Sequence, residues 1–139
     1  MDVKIKNENE IVLVDDDKDE TFLLEQFYRM SDLKNKLISF QSGKEFLDYM
    51  EKVREHQADM PALVLLDVRM PGLSGFDVLE NLRNDEDFVE DPAVLMFSNS
   101  NAPSDIKKAM ELGANGYQTK LSNMQSYISF LNSLDPNLP

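Results

Sequence analysis

The chain has no cysteine and a single histidine, His56. The first absence excludes disulfides and thiolate metal sites, and the second excludes a metal centre built from several imidazoles. Positive charge is scarce: 14 Lys and Arg stand against 26 Asp and Glu, a net charge of −12. Such a surface repels phosphate backbones and anionic headgroups, so neither a nucleic acid nor a membrane is an expected partner. The longest apolar runs, around Leu63 to Leu66 and Ala93 to Phe97, are far too short to cross a bilayer, and the N-terminal MDVKIKNENE has no signal-peptide core. A cytoplasmic protein is expected. At 139 residues the chain fits one compact domain.

What is present is an alternation. Short apolar or β-branched runs, IVLV, KLISF, ALVLLD, AVLMFS and GYQTK, are separated by longer stretches with helical spacing. That pattern belongs to an α/β fold with a parallel sheet covered by helices on both faces. It predicts strands near 11–14, 36–40, 63–67, 93–98 and 116–120, and helices near 18–30, 43–56, 75–84, 103–112 and 123–134. Ser42 with Glu45 and Ser122 with Gln125 each fit a capping box, and Ser74 suits the start of the third helix. Gly113 is placed to close the fourth helix, and Met124, Tyr127, Ile128, Leu131 and Leu134 form one apolar stripe on the fifth. The segment RNDEDFVED reads as a solvated connection, and His56 as an exposed residue at a helix end.

Chemistry gathers at the strand ends, where open parallel sheets bind ligands. Asp15 and Asp16 follow the first strand, Asp67 ends the third, Ser98 ends the fourth and Lys120 ends the fifth. If strands one and three are neighbours, three carboxylates meet within a few ångströms, and like-charge repulsion would raise the pKa of at least one. A hard divalent cation such as Mg²⁺, which prefers oxygen ligands, resolves that conflict. Asp17 and Asp19 are read as solvated acids at a helix start. Taken singly, Ser98 could be a strand-end hydroxyl that satisfies backbone, and Tyr117 a packing aromatic.

The fragments LVDDD, LLDVRMPGLSGFDVL, VLMFSNS and GANGYQTK, in that order and at those separations, resemble the receiver domains of two-component response regulators from about Ile11 to Leu134. The resemblance implies a flavodoxin-like strand order 2-1-3-4-5. It also implies a receiver domain over 11–135, with an extension at 1–10, a tail at 136–139 and no output domain. Asp67 would be the nucleophile that takes a phosphoryl group from a phosphohistidine on a sensor histidine kinase or a histidine phosphotransfer protein. Asp16, Asp67 and the backbone carbonyl of Arg69 would ligate Mg²⁺ (or Mn²⁺), and Asp15 would hold a metal-bound water. Ser98 and Lys120 would grip the transferred group. Ser98 and Tyr117 would then switch a surface made by the fourth helix, fifth strand and fifth helix, which binds a protein target or, once phosphorylated, a second copy of the chain. Arg69, Asn99 and Ser100 occupy positions where the family tunes its rates. Onward transfer to another histidine is the alternative role, and enzymatic activity beyond the chain's own phosphorylation and dephosphorylation is not expected.

Elementary chemistry supports those roles, since phosphoryl transfer needs positioning and charge neutralisation more than covalent catalysis. A flavodoxin-like FMN carrier fits worse, because VDDDKDE would repel the FMN phosphate. An aspartyl phosphatase would normally carry a second carboxylate two residues past the nucleophile, where this chain has Arg69. A degenerate receiver is disfavoured because every site type is retained. Two positions depart from the family. Leu121 replaces the usual proline after the lysine, and a non-proline cis bond costs about 3–4 kcal/mol, so a trans peptide with a rearranged loop is expected. Asn99 is larger than the residue usually found after the hydroxyl position. It is expected to crowd the phosphoryl pocket, so Asn99→Ala should speed phosphorylation and dephosphorylation; unchanged rates would refute the crowding.

Overall fold

The computed structural model describes residues 3–138. Five strands, β1 (Ile11–Val14), β2 (Leu37–Phe40), β3 (Leu63–Asp67), β4 (Val94–Ser98) and β5 (Gly116–Thr119), form one parallel sheet in the order β2-β1-β3-β4-β5. The helices are α1 (Lys18–Met30), α2 (Gly43–Arg54), α3 (Gly75–Arg83), α4 (Pro103–Glu111) and α5 (Met124–Ser133). All ten elements begin and end within two residues of the positions expected from the sequence.

Along each strand, alternate residues serve opposite faces. Val12, Val14, Val64, Leu66, Val94 and Met96 share a core with Phe46, Met50, Leu79, Leu82 and Ala109 of α2, α3 and α4. Ile11, Leu13, Leu63, Leu65 and Leu95 meet Leu24, Tyr28 and Leu131 of α1 and α5. Burial on both faces explains why these strands are unbroken apolar runs. Residues ahead of β1 dock onto this second core: Ile5 is buried, and its amide donates to the Leu134 carbonyl at 2.7 Å.

Three local expectations are corrected. The cap of α5 is Asn123, whose side chain accepts from Ser126 N, because Leu121 and Ser122 are still occupied in leaving the strand and the Leu121 amide donates to Tyr127 Oη. Asn caps as well as Ser does, so the start moves by one residue. Met124, at the head of the predicted stripe, is consequently exposed, whereas Leu131 and Leu134 are buried. The Ser42–Glu45 pair supplies one hydrogen bond, Glu45 N to Ser42 Oγ, while the reciprocal box forms at Ser74 and Asp77.

The acidic segment after α3 is also not a solvated connection throughout. Phe88, in a 3₁₀ turn at Glu86–Phe88, is buried, and Arg54 of α2 pairs with Asp85 and Asp87 while lying over the Phe88 ring. Arg83 is half-buried and donates to the carbonyls of Gly113, Phe88 and Pro92. Charge is drawn inward here because an arginine can satisfy several carbonyls that no helix or strand reaches.

The β3–α3 loop sets the position of Asp67. Gly72 takes φ +75, and Gly75 N donates to Val68 O at 2.9 Å, folding the loop back on the strand end. A Cβ on Gly75 would collide with the Asp67 carbonyl oxygen, a backbone atom that cannot yield cheaply. Gly75→Ala should therefore lower unfolding stability by about 3 kcal/mol, the upper end of ordinary overpacking. Urea denaturation checks it: an unchanged midpoint would show that the loop gives way freely.

Candidate functional site

Register places the site. Val14 of β1 lies beside Leu66 of β3, so Asp15 and Asp67 emerge next to one another; Ser98 lies beside Thr119, and Lys120 N donates to Ser98 O at 2.7 Å. Asp15, Asp16 and Asp67 each offer a carboxylate oxygen within 4.8 Å of the others. Asp15 and Asp67 are buried and Asp16 is exposed. Asp15 is fixed by the Asp17 amide, which donates to its Oδ1 at 2.9 Å, and Asp17 in turn caps α1 by accepting from the amides of Asp19 and Glu20. The acidic loop is thus a chain of carboxylate-to-amide bonds as well as a set of charges.

Lys120 closes the site from the β5 side with a buried side chain. Its Nζ stands 2.6 Å from Glu20 Oε2, 3.5 Å from Asp15 Oδ2 and 3.5 Å from Asp67 Oδ1. The Lys120–Leu121 peptide is trans, as the missing proline led one to expect, and the lysine nevertheless reaches the carboxylates. A cleft of about 270 Å³ opens over the group, lined by Asp16, Asp17, Glu20, Asp67, Arg69, Asn99 and Lys120.

The carboxyl of Asp67 is pushed up to about 7. Burial is the main cause; the Lys120 charge opposes it, the Asp15 charge adds to it, and a hydrogen bond from the Arg69 amide opposes it. Asp15 is also raised, again by burial first, against the Asp17 amide and Lys120. Like-charge repulsion, the cause expected from the sequence, is therefore secondary to loss of water. Burial pulls the Lys120 ammonium down, but the Glu20 hydrogen bond and the Asp67 and Asp15 charges together hold it above its ordinary value. An all-oxygen, acid-rich donor set with one exposed member suits a hard divalent cation that keeps some of its water.

Ser98 does not line the cleft. It is fully buried, and its Oγ accepts from Ser100 N at 3.0 Å, a bond that leaves the hydroxyl proton unused. Ser100 is a junction: its Oγ donates to Asp105 Oδ2 of α4 at 2.7 Å, and its carbonyl accepts from Tyr117 Oη at 2.8 Å. Tyr117 is buried and turned inward. Arg69 extends over the same region with an exposed side chain, its Nη2 3.7 Å from Asp105 Oδ2.

The structure brings Asp15, Asp16, Asp67, Arg69, Asn99 and Lys120 together, with Ser98, Ser100 and Tyr117 in a layer behind. The sequence reading missed Glu20 and Asp105. Glu20 carried a signal, since a helix starting at Lys18 returns its first turn toward the Asp15 loop, yet acids at a helix start have a sufficient explanation in the dipole. Asp105 had none, because its partner Ser100 lies in an irregular turn.

Comparison with known proteins gives one answer. A family model described as the response regulator receiver domain matches residues 11–132. Response regulator Rcp1 of Synechocystis sp. is 25% identical over 126 residues, covering 90% of this chain and 85% of its own. The crystal structure of the Mn(2+)-bound form of Rcp1 superposes with a TM-score of 0.77 at 25% identity, over 94% of this chain and 98% of that one. The phosphorylated cyanobacterial phytochrome response regulator RcpA has the same TM-score, 0.77, at 26% identity, over 90% and 89%.

The raised Asp67 carboxyl has a consequence for stability. The folded state keeps a proton that the unfolded state loses between the ordinary aspartate value and about 7, so stability falls as pH rises through that window and the whole deficit is present above it. In the absence of divalent ions Tm should drop between about pH 4 and about pH 7, Asp67→Asn should remove most of the drop, and Mg²⁺ should restore Tm at the upper pH. A wild-type profile that matches Asp67→Asn would contradict the assignment.

Proposed function

Because this chain belongs to the response regulator receiver family, we propose that it accepts a phosphoryl group on Asp67 from a phosphohistidine of a sensor kinase or phosphotransfer protein, in a Mg²⁺-dependent reaction in the cytoplasm. The observation that carries the reading is the Asp67 carboxylate at the tip of β3, 3.5 Å from the Lys120 ammonium and within 4.8 Å of Asp15 and Asp16 oxygens. Rcp1 in its Mn(2+)-bound form and phosphorylated RcpA support it as relatives of the same fold.

An Asp67 oxygen attacks phosphorus as the donor N–P bond breaks, and the electron pair returns to the imidazole. Asp16, Asp67 and the Arg69 carbonyl would hold the cation, with Asp15 on one of its waters; when bound, the cation neutralises charge on the reacting oxygens. Lys120 supplies the complementary positive charge from the opposite side, and Asn99 narrows the entrance. The protein's chemistry is confined to its own phosphorylation and dephosphorylation.

The output follows from the second layer. To donate to a phosphoryl oxygen, the Ser98 hydroxyl must swing toward the cleft and give up the Ser100 amide. That loosens the turn that Ser100 ties to Asp105 of α4 and to Tyr117 of β5. A protein target with different affinity for the two arrangements of α4, β5 and α5 reads the difference.

Incubation with acetyl phosphate and Mg²⁺ should add the mass of one phosphoryl group to the intact wild-type protein and none to Asp67→Asn. Lys120→Ala should slow the reaction by about a hundredfold, as loss of a charge-stabilising group does elsewhere. Addition to both proteins, or to neither, would remove Asp67 from the proposed role.

A further inference from the structure

Glu20 lines the cleft, has no task in the phosphoryl-transfer reading or in capping α1, and makes the shortest contact to Lys120: 2.6 Å, against 3.5 Å to each of Asp15 and Asp67. The pair also forms a shared wall. Glu20 and Lys120 both line the acidic cleft and both line a mainly apolar cavity of about 290 Å³ on its other side, between α1 and α5. The two partners differ in freedom. The Lys120 side chain is 8% exposed and the Glu20 side chain 40%, so Glu20 can turn into water while Lys120 stays in place.

We propose that Glu20 is a positioning residue that restrains Lys120, holding the ammonium toward α1 until an incoming phosphoryl group displaces the carboxylate. This rests on the phosphoacceptor reading of Asp67. The Glu20 backbone is fixed, since its amide donates to Asp17 Oδ1 at 3.1 Å and Asp17 N donates to Asp15 Oδ1 at 2.9 Å. The restraint is therefore built onto the same loop as the acidic cluster. A phosphoryl group brings more charge and more acceptor oxygens than one carboxylate, so it wins the competition for the ammonium once it arrives. Before it arrives, part of the approach free energy is spent on breaking the Glu20 contact. After transfer, Glu20 no longer holds the lysine and has no further influence on the acyl phosphate.

The test compares Glu20→Gln with Asp19→Asn, which removes the same charge from the same helical turn without touching Lys120. At saturating Mg²⁺, Glu20→Gln should accelerate phosphorylation by acetyl phosphate about fivefold, the size expected for loss of a partly exposed ion pair, and leave the lifetime of the phosphorylated form within about twofold. Asp19→Asn should change neither, and Glu20→Asp should restore part of the slow rate. A second measurement needs no phosphodonor: limited acetylation with acetic anhydride, followed by peptide mapping, should label Lys120 faster in Glu20→Gln than in wild type. Equal or slower phosphorylation in Glu20→Gln, an equal gain in Asp19→Asn, or unchanged Lys120 labelling would overturn the restraint. Failure of wild type to take up phosphate while Lys120 labelling still rises would count against the phosphoacceptor role and leave the Glu20 restraint standing.

Discussion

A single ammonium group, Lys120 Nζ, is shared by carboxylates from three separate parts of the chain: Asp15 after β1, Glu20 in α1 and Asp67 at the end of β3. The sheet forces the arrangement. Parallel strands in register bring all their carboxyl ends to one edge, so side chains far apart in sequence meet whether or not their charges agree. Acids buried there lose water, and that loss, more than mutual repulsion, raises Asp15 and Asp67. The lysine is the counter-charge that the chain itself can supply. It is too little for four carboxylates, which leaves the cluster open to a cation from solution.

The same geometry sets what the site can transmit. Strand tips are stiff, held by ladders on both sides, whereas Ser98 through Ala102 leave β4 as a turn closed by side-chain bonds: Ser100 N to Ser98 Oγ, Ala102 N to Ser100 Oγ, and Ser100 Oγ to Asp105. Exchanging one of these bonds for a bond to a new ligand changes the turn without disturbing the sheet. Tyr117, buried on the edge strand β5, donates to the Ser100 carbonyl and so ties the turn to that strand. Gly75 serves the opposite purpose by pinning the β3 side so that Asp67 does not follow.

Most of this was legible in the sequence because it depends on backbone periodicity. β1, β3 and β4 are buried on both faces and therefore read as apolar runs, and the runs of β1 and β3 stop at acids that cannot be buried without a partner, Asp15 and Asp67. Those stops mark the site in the sequence itself. What stayed hidden depends on side chains that reach across elements. Arg83 satisfies carbonyls from three segments, and Arg54 gathers acids from the stretch after α3; both look from sequence like ordinary ends of amphipathic helices. The shift of the α5 cap from Ser122 to Asn123 was hidden for a smaller reason: adjacent residues of equal capping strength leave the choice to the path of the preceding loop.

Glu20 illustrates why charge alone does not mark function here. With Asp15, Asp16 and Asp67 it makes four carboxylates around one ammonium, an excess of three negative charges when all are ionised. A divalent cation reduces that excess to one, and conversion of a carboxylate into an acyl phosphate adds about one more. An additional acid so close to Asp67 works against the approach of any further anion on net charge, and the contact to Lys120 adds to that effect through geometry. An ammonium that is 8% exposed sits here among three acids and can lean toward any of them. By taking the shortest bond for itself, Glu20 draws that charge toward α1. The Glu20 side chain is 40% exposed, so the contact can yield to a stronger anion while the lysine stays in place.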